Sequence, residues 1–135
     1  VNVKKEIDGF ILNRLQGALL NEAMRLYSDG YASSDEIDAT IRDGLGLRWA
    51  FMGPFETIDL NAPGGIKDYI SRYGPMYIEM AKNQTKIPDW SEEAGKKLEI
   101  ERRKILGHDE LENRAKKRNQ LLKSLRKVKI DNGEA

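Results

Sequence analysis

The segment DGFILNRLQGALLNEAMRLYSDG, residues 8–30, carries apolar residues almost all the way round a helix. At about 3.6 residues per turn, Leu12, Leu15, Leu19, Ala23 and Leu26 fall on one stripe. Gly17, Leu20, Met24 and Tyr27 form a second stripe, and Asn13 stands at its N-terminal end. Arg14, Asn21, Arg25 and Ser28 make a narrow polar strip between them. A helix apolar on two sides is packed on two sides, so this segment is expected to be the central helix of its domain.

Helix signals continue along the chain. The first helix starts near Asp8 or Gly9 and ends at Gly30, a residue suited to the left-handed cap. Ser33 with Glu36 reads as a capping box opening a second helix that Gly44 stops. GLGLRWAFMGP, residues 44–54, reads as a loop, after which Gly53 and Pro54 start a third helix. NAPGG at 61–65 breaks it. A fourth helix reaches Tyr73, and Gly74-Pro75 leads into another that fades near Asn83. KIPDW is a linker. Asp89 with Glu92, and Asp109 with Glu112, read as caps of two further helices, ending near Leu106 and Lys129. No segment alternates with the period of a strand, so the class is all-α, with roughly six or seven helices.

Composition excludes more than it selects. The 135 residues carry net charge +1 and no cysteine, which removes disulfides, thiolate metal sites and thiol nucleophiles. No apolar run approaches the roughly 20 residues of a membrane span, and no signal-peptide pattern opens the chain. The halves differ: from Ser91 onward 13 Lys or Arg face 9 Asp or Glu, leaving 10 against 13 in the first 90 residues. That mixture reads as a solvated, salt-bridge-laced helical pair rather than a nucleic-acid grip. Val1 stands where a start methionine would, and residues 1–7 read as an extended lead-in, as expected of a piece of a longer chain.

Catalytic sets are missing. The one histidine, His108, falls in an interhelix turn and is expected at the surface. No nucleophile triad, metal cluster or phosphate loop is visible. Gly44-Leu45-Gly46 resembles the start of a dinucleotide fingerprint but follows a helix instead of a strand. Two residues stand out. Asn13 either bridges neighbouring backbone or points at a ligand from a helix start, since a dry, unpaired amide costs about 1–3 kcal/mol. Gly17 leaves a flat spot one turn further on. Arg48, beside Trp49 and Phe51, is either a surface arginine stacked on Trp49 or a guanidinium able to hold a carboxylate through two parallel hydrogen bonds. Glu56 reads as a helix-start charge, and Tyr73 and Trp90 as packing aromatics.

GFILNRLQGALLNEAMRLYSDGYASSDEID and GLGLRWAFMGPFETIDL together resemble the C-terminal domain of NAD-dependent 3-hydroxyacyl-CoA dehydrogenases. The resemblance is strong from Asp8 to Leu60 and loose beyond. GLGLRWAFMGPFE is closer to the lambda-crystallin branch, which includes L-gulonate 3-dehydrogenase, and to L-carnitine dehydrogenase, than to the mitochondrial fatty-acid enzyme. The family implies an all-α, multi-helix domain of the 6-phosphogluconate dehydrogenase C-terminal-like type, with no Rossmann domain in this chain. It implies a lead-in at 1–7 from an N-terminal NAD-binding domain, a helical substrate-binding and dimerisation domain at 8–129, and a tail at 130–135.

In such enzymes the substrate lies between the two domains, and the asparagine of the GF-x-x-NR motif reaches into that cleft. That position is Asn13, expected as a catalytic residue. The branch acts on small hydroxy acids with a free carboxylate, which favours substrate binding by Arg48 and Trp49. NAD would be bound by the N-terminal Rossmann domain, and this chain alone is expected to be inactive. Expected partners are a second copy, the Rossmann domain, and a small hydroxy acid or acyl-CoA substrate, without nucleic acid or membrane, in the cytoplasm. The rival reading is a non-catalytic helical dimerisation module.

Overall fold

The computed structural model describes residues 1–134, and it is all-α. In order, α1 spans Phe10–Ser28, α2 Ser34–Thr40, a π-helical turn Ile41–Leu45, α3 Gly46–Trp49, α4 Pro54–Leu60, α5 Gly65–Asn83, α6 Glu92–Ile105, a 3-10 turn His108–Glu110, and α7 Leu111–Asp131. Residues 1–7 form no helix, and α7 runs two residues past the expected boundary at Lys129.

Several boundaries follow directly from local chemistry. Gly30 takes φ 77° just past α1, where Asp29 and Gly30 donate back to the carbonyls of Arg25 and Tyr27. Ser33 Oγ accepts from Glu36 N at 3.3 Å while the Glu36 carboxylate accepts from Ser33 N at 2.8 Å, the reciprocal box that the spacing implies. Pro54 occupies the first position of α4, where its missing N–H costs nothing. At the NAPGG corner, Asp59 Oδ1 accepts from Ile66 N at 2.7 Å and so caps α5 from the end of α4.

Other boundaries differ from expectation. Gly44 does not stop the second helix. The chain widens into a π turn, closed by Gly46 N donating to Ile41 O, and continues as α3. A Cβ on Gly46 would lie 2.7 Å from that same carbonyl oxygen, so glycine is what allows the wide turn to close. Gly74-Pro75 does not divide the fourth helix either, and α5 passes through Pro75. An interior proline costs about 3 kcal/mol. Against that cost stands a tyrosine ladder spanning it: the Tyr69 and Tyr73 rings are 4.7 Å apart, and the Tyr69 and Tyr77 hydroxyls meet at 2.7 Å.

The cap of α6 is Ser91, whose Oγ accepts from Ala94 N, while Asp89 Oδ1 accepts from Ser91 N. Glu110 rather than Glu112 closes the turn before α7, its carboxylate accepting from Gly107 N at 3.2 Å.

The expectation that α1 packs on two sides is not met: in its C-terminal half Met24 and Tyr27 of one stripe are buried, while Leu19, Ala23 and Leu26 of the other line an open groove. There α1 meets α2, and the Tyr27 hydroxyl reaches Glu101 of α6. Leu12 and Leu15, a few turns earlier on the stripe of Leu19, Ala23 and Leu26, are 75% and 60% exposed. Periodicity marks which residues suit burial, and among the described residues nothing covers the N-terminal ones.

Candidate functional site

The start of α1 has an unusual backbone. Gly9 at φ 80° and Phe10 at φ 50° both lie in the left-handed region. For a bulky side chain that conformation costs on the order of 1–3 kcal/mol and persists where surrounding structure holds it, often at functional sites. No side chain caps this end, so most of its leading N–H groups lack intrahelical partners. Asn13 follows one turn later and is exposed. Among the described residues its amide makes no side-chain hydrogen bond that bridges neighbouring backbone. A Cβ placed on Gly17 would meet nothing within 4 Å. The flat spot is open.

Arg48 and Trp49 end the short helix that follows the π turn. π-Helical turns recur at functional sites because they displace the residues after them from the regular register. The Arg48 carbonyl accepts from Phe51 N at 2.9 Å and Met52 N at 3.0 Å, which turns the chain sharply before Gly53. Its guanidinium is exposed, is in no ion pair among the described residues, and is not stacked on Trp49 there. Trp49 is 41% exposed and Phe51 likewise 41%. Asn13 and Arg48 thus stand on separate helices, both exposed, with no hydrogen bond joining them among the described residues.

Between the C-terminal half of α1 and α6 lies a network whose acid the sequence reading did not single out. The buried Tyr27 hydroxyl donates to Glu101 Oε1 at 2.9 Å, and Ser34 N donates to Glu101 Oε2 at 3.3 Å. Lys97 Nζ sits 5.3 Å over the Tyr27 ring. Burial, then the Glu101 carboxylate, pushes the Tyr27 pKa up. The Tyr27 hydroxyl, then Ser34, draws the Glu101 pKa below its ordinary value. One signal was available: Ala94, Leu98, Glu101 and Ile105 share one face of α6, so Glu101 is an acid at an inward position.

The polar strip of α1 also has a use. Trp90 Nε1 donates to Asn21 Oδ1 at 3.0 Å, Arg25 to the Lys86 carbonyl at 2.9 Å, and Lys86 to Asp29 at 2.9 Å. These contacts lace the 84–91 linker along α1. Trp90 is thereby a hydrogen-bonding aromatic that stays 58% exposed, rather than a packing one. His108 is exposed in its turn, as expected.

Gly44 and Gly46 do not form a dinucleotide-binding turn: they lie within a continuous helical path whose would-be Cβ space at Gly46 is taken by backbone, and among the described residues no strand leads into it. Among the described residues no three His, Asp or Glu side chains gather as metal ligands, and no helix is long and apolar enough to cross a membrane.

Comparison with known proteins decides the family. Residues 9–107 match the model of the 3-hydroxyacyl-CoA dehydrogenase C-terminal domain. The chain belongs to that family. It is 47% identical over 91 residues to lambda-crystallin of Oryctolagus cuniculus, covering 67% of this chain and 28% of the relative. The lambda-crystallin homolog of Homo sapiens is 40% identical over 98 residues, 73% of this chain and 30% of the relative. L-carnitine dehydrogenase of Oceanobacillus iheyensis is 35% identical over 125 residues, 91% of this chain and 40% of the relative. The chain therefore spans well under half the length of these relatives, and as a member of this family it is part of an oxidoreductase lineage.

Proposed function

We propose that this chain is the helical half of an NAD-dependent dehydrogenase acting on a 3-hydroxy acid or its CoA ester, completing a substrate cleft against a separate Rossmann domain and pairing with a second copy of itself. The observation that carries the reading is the division of α1. In its C-terminal half Met24 and Tyr27 are buried and side-chain hydrogen bonds tie it down, while Leu12 and Leu15 around Asn13 stand in solvent at 75% and 60% exposure. Apolar surface of this kind, beside an amide with no internal task, suits the junction with another domain. Asn13 would then point a hydrogen-bonding group at the substrate. Arg48 would hold the carboxylate of a free acid, with Trp49 flanking it. Arg48 stands exposed after the π turn without an acidic partner among the described residues, which supports the free-acid branch over the thioester. The cofactor belongs to the other domain, and the cytoplasm is the compartment proposed.

The test is reconstitution. Joined to or mixed with the Rossmann domain encoded with it, the chain is expected to give hydroxy-acid-dependent NAD reduction. Alone it is expected to give none, and to show no saturable micromolar NAD binding by calorimetry. NAD binding to the chain alone, or a reconstituted protein without activity on any hydroxy acid or hydroxyacyl-CoA, would overturn the proposal, the latter in favour of a non-catalytic dimerisation module.

A further inference from the structure

The molecule divides into a body and an arm of opposite charge. Helix α7 carries eight Lys or Arg against Glu112 and Asp131, a net of +6. Residues 1–110 carry 15 Lys or Arg against 19 Asp or Glu, a net of −4. The arm buries no residue and leads off from the 3-10 turn. Leu121, Leu122, Leu125 and Val128 fall on one face of it, and Leu121, Leu122 and Val128 are 51%, 56% and 47% exposed. The body in turn holds an open groove of about 830 Å³ between α1, α2 and α6. Its floor is apolar, from Leu19, Ala23, Leu26, Ile37, Ile41 and Ile105. Glu22, Asp35 and Asp38 line it together with Arg42, Arg102 and Arg114. Arg42 is engaged with Asp43, Arg102 with Asp38 and Glu22 with Arg25, so among the described residues Asp35 is the groove acid left without an ion pair. Helix α2 itself carries Asp35, Glu36 and Asp38 with no base.

We propose that α7 of one copy docks in the α1–α2–α6 groove of a second copy, its leucine face on the apolar floor and its lysines against the acids of α2. The occupant is a second copy for a geometric reason. Arg114, in the first turn of α7, already lines the mouth of its own groove. An unbroken helix of 21 residues, about 30 Å long, leads away from that mouth and cannot fold back into it. A second copy brings the same helix from outside, and the exchange is reciprocal, which closes the assembly as a two-fold dimer. Opposite net charges on arm and body favour that encounter and set its register. The family match ends at residue 107, so α7 lies outside it. The inference rests on the self-association proposed above and adds which surfaces make it.

The test is sedimentation of the full chain and of the double variant L121E/L122E, beside zero-length carbodiimide cross-linking of an equal mixture of 15N-labelled and unlabelled chains. The full chain is expected to dimerise, with mixed-isotope cross-links joining Lys116, Lys117 or Lys123 to Asp35, Glu36 or Asp38. The variant is expected to raise the dimer Kd by about 100-fold or more, since two leucines lose their buried site. Its thermal melt when monomeric should stay unchanged, because Leu121 and Leu122 are exposed and α7 buries no residue. A dimer whose Kd ignores L121E/L122E, with cross-links elsewhere, would overturn this inference and leave self-association standing. A full chain that stays monomeric at high micromolar concentration would overturn both.

Discussion

The two halves of α1 carry the same two apolar stripes and meet opposite fates. At the C-terminal half Tyr27 is 7% exposed and bonded to Glu101, while Arg25 and Asn21 hold the 84–91 linker. At the N-terminal half Leu12 and Leu15 are open, no side chain caps the helix, and the backbone enters it through two left-handed residues. The contrast separates two jobs that periodicity merges. One half holds this chain together. The other half stands open among the described residues, and it carries Asn13.

The largest expected effect breaks the closed half. Tyr27→Ala removes a buried ring and leaves Glu101 without its chief donor, and large-to-alanine changes at buried aromatic sites cost about 3–5 kcal/mol. A thermal melt of the chain should show the helices losing cooperativity; an unchanged melting temperature would mean that α6 does not depend on this contact. A change at the exposed Arg48 of α3, outside this contact, should leave the melt alone. Arg48→Met is expected to raise KM for small hydroxy acids in the reconstituted enzyme by an amount worth about 2–5 kcal/mol if the site closes dry, with lysine rescuing only in part because a point charge lacks the planar fork. Acyl-CoA substrates should be nearly indifferent. Equal losses on both substrate classes, in a panel assay, would move Arg48 to a role in the fold.

A smaller effect sharpens the comparison at α2. Ser33→Ala deletes the Ser33–Glu36 capping box, and loss of such a cap costs about 1 kcal/mol, read as a shift of the denaturation midpoint. The smallest effect is the pH response of the closed half. Hydrogen bonds from Tyr27 and then Ser34 hold the folded Glu101 pKa below its ordinary 4.5. The stability this contributes is present above pH 4.5 and is lost as pH falls through the depressed folded value. Tyr27, raised above 10.0 by burial and by Glu101, contributes stability present below pH 10.0 and lost as pH rises through its raised folded value. Melts of Tyr27→Phe against pH should flatten both flanks; flanks that persist unchanged would assign them to other groups.

Much of the fold was legible because its punctuation is local. Gly30, the Ser33–Glu36 box, Gly53-Pro54 and the KIPDW linker each act over three or four residues, and each stands where the sequence puts it. What escaped was non-local or non-periodic. A π turn is a single wide step closed by one bond from Gly46 to Ile41, and in sequence its glycines read as a stop. Pro75 reads as a break because the tyrosine ladder that spans it joins residues eight apart. Glu101 meets Tyr27 across 74 residues of chain. Asn13 was visible as an amide out of place, and its neighbours were not, since apolar residues announce that they will be covered without naming the cover.

The account turns on what Asn13 is for. In the enzyme reconstituted with its Rossmann domain, Asn13→Ala should lower kcat by about 10- to 1000-fold, the loss of one positioned hydrogen bond to a reacting group. Its melting temperature should match the parent's, because the exposed amide holds nothing in the closed half. Steady-state kinetics and a thermal melt on the same preparation decide it. A variant that keeps its turnover while its melting temperature falls would show that the open end of α1 is structural and that the cleft lies elsewhere.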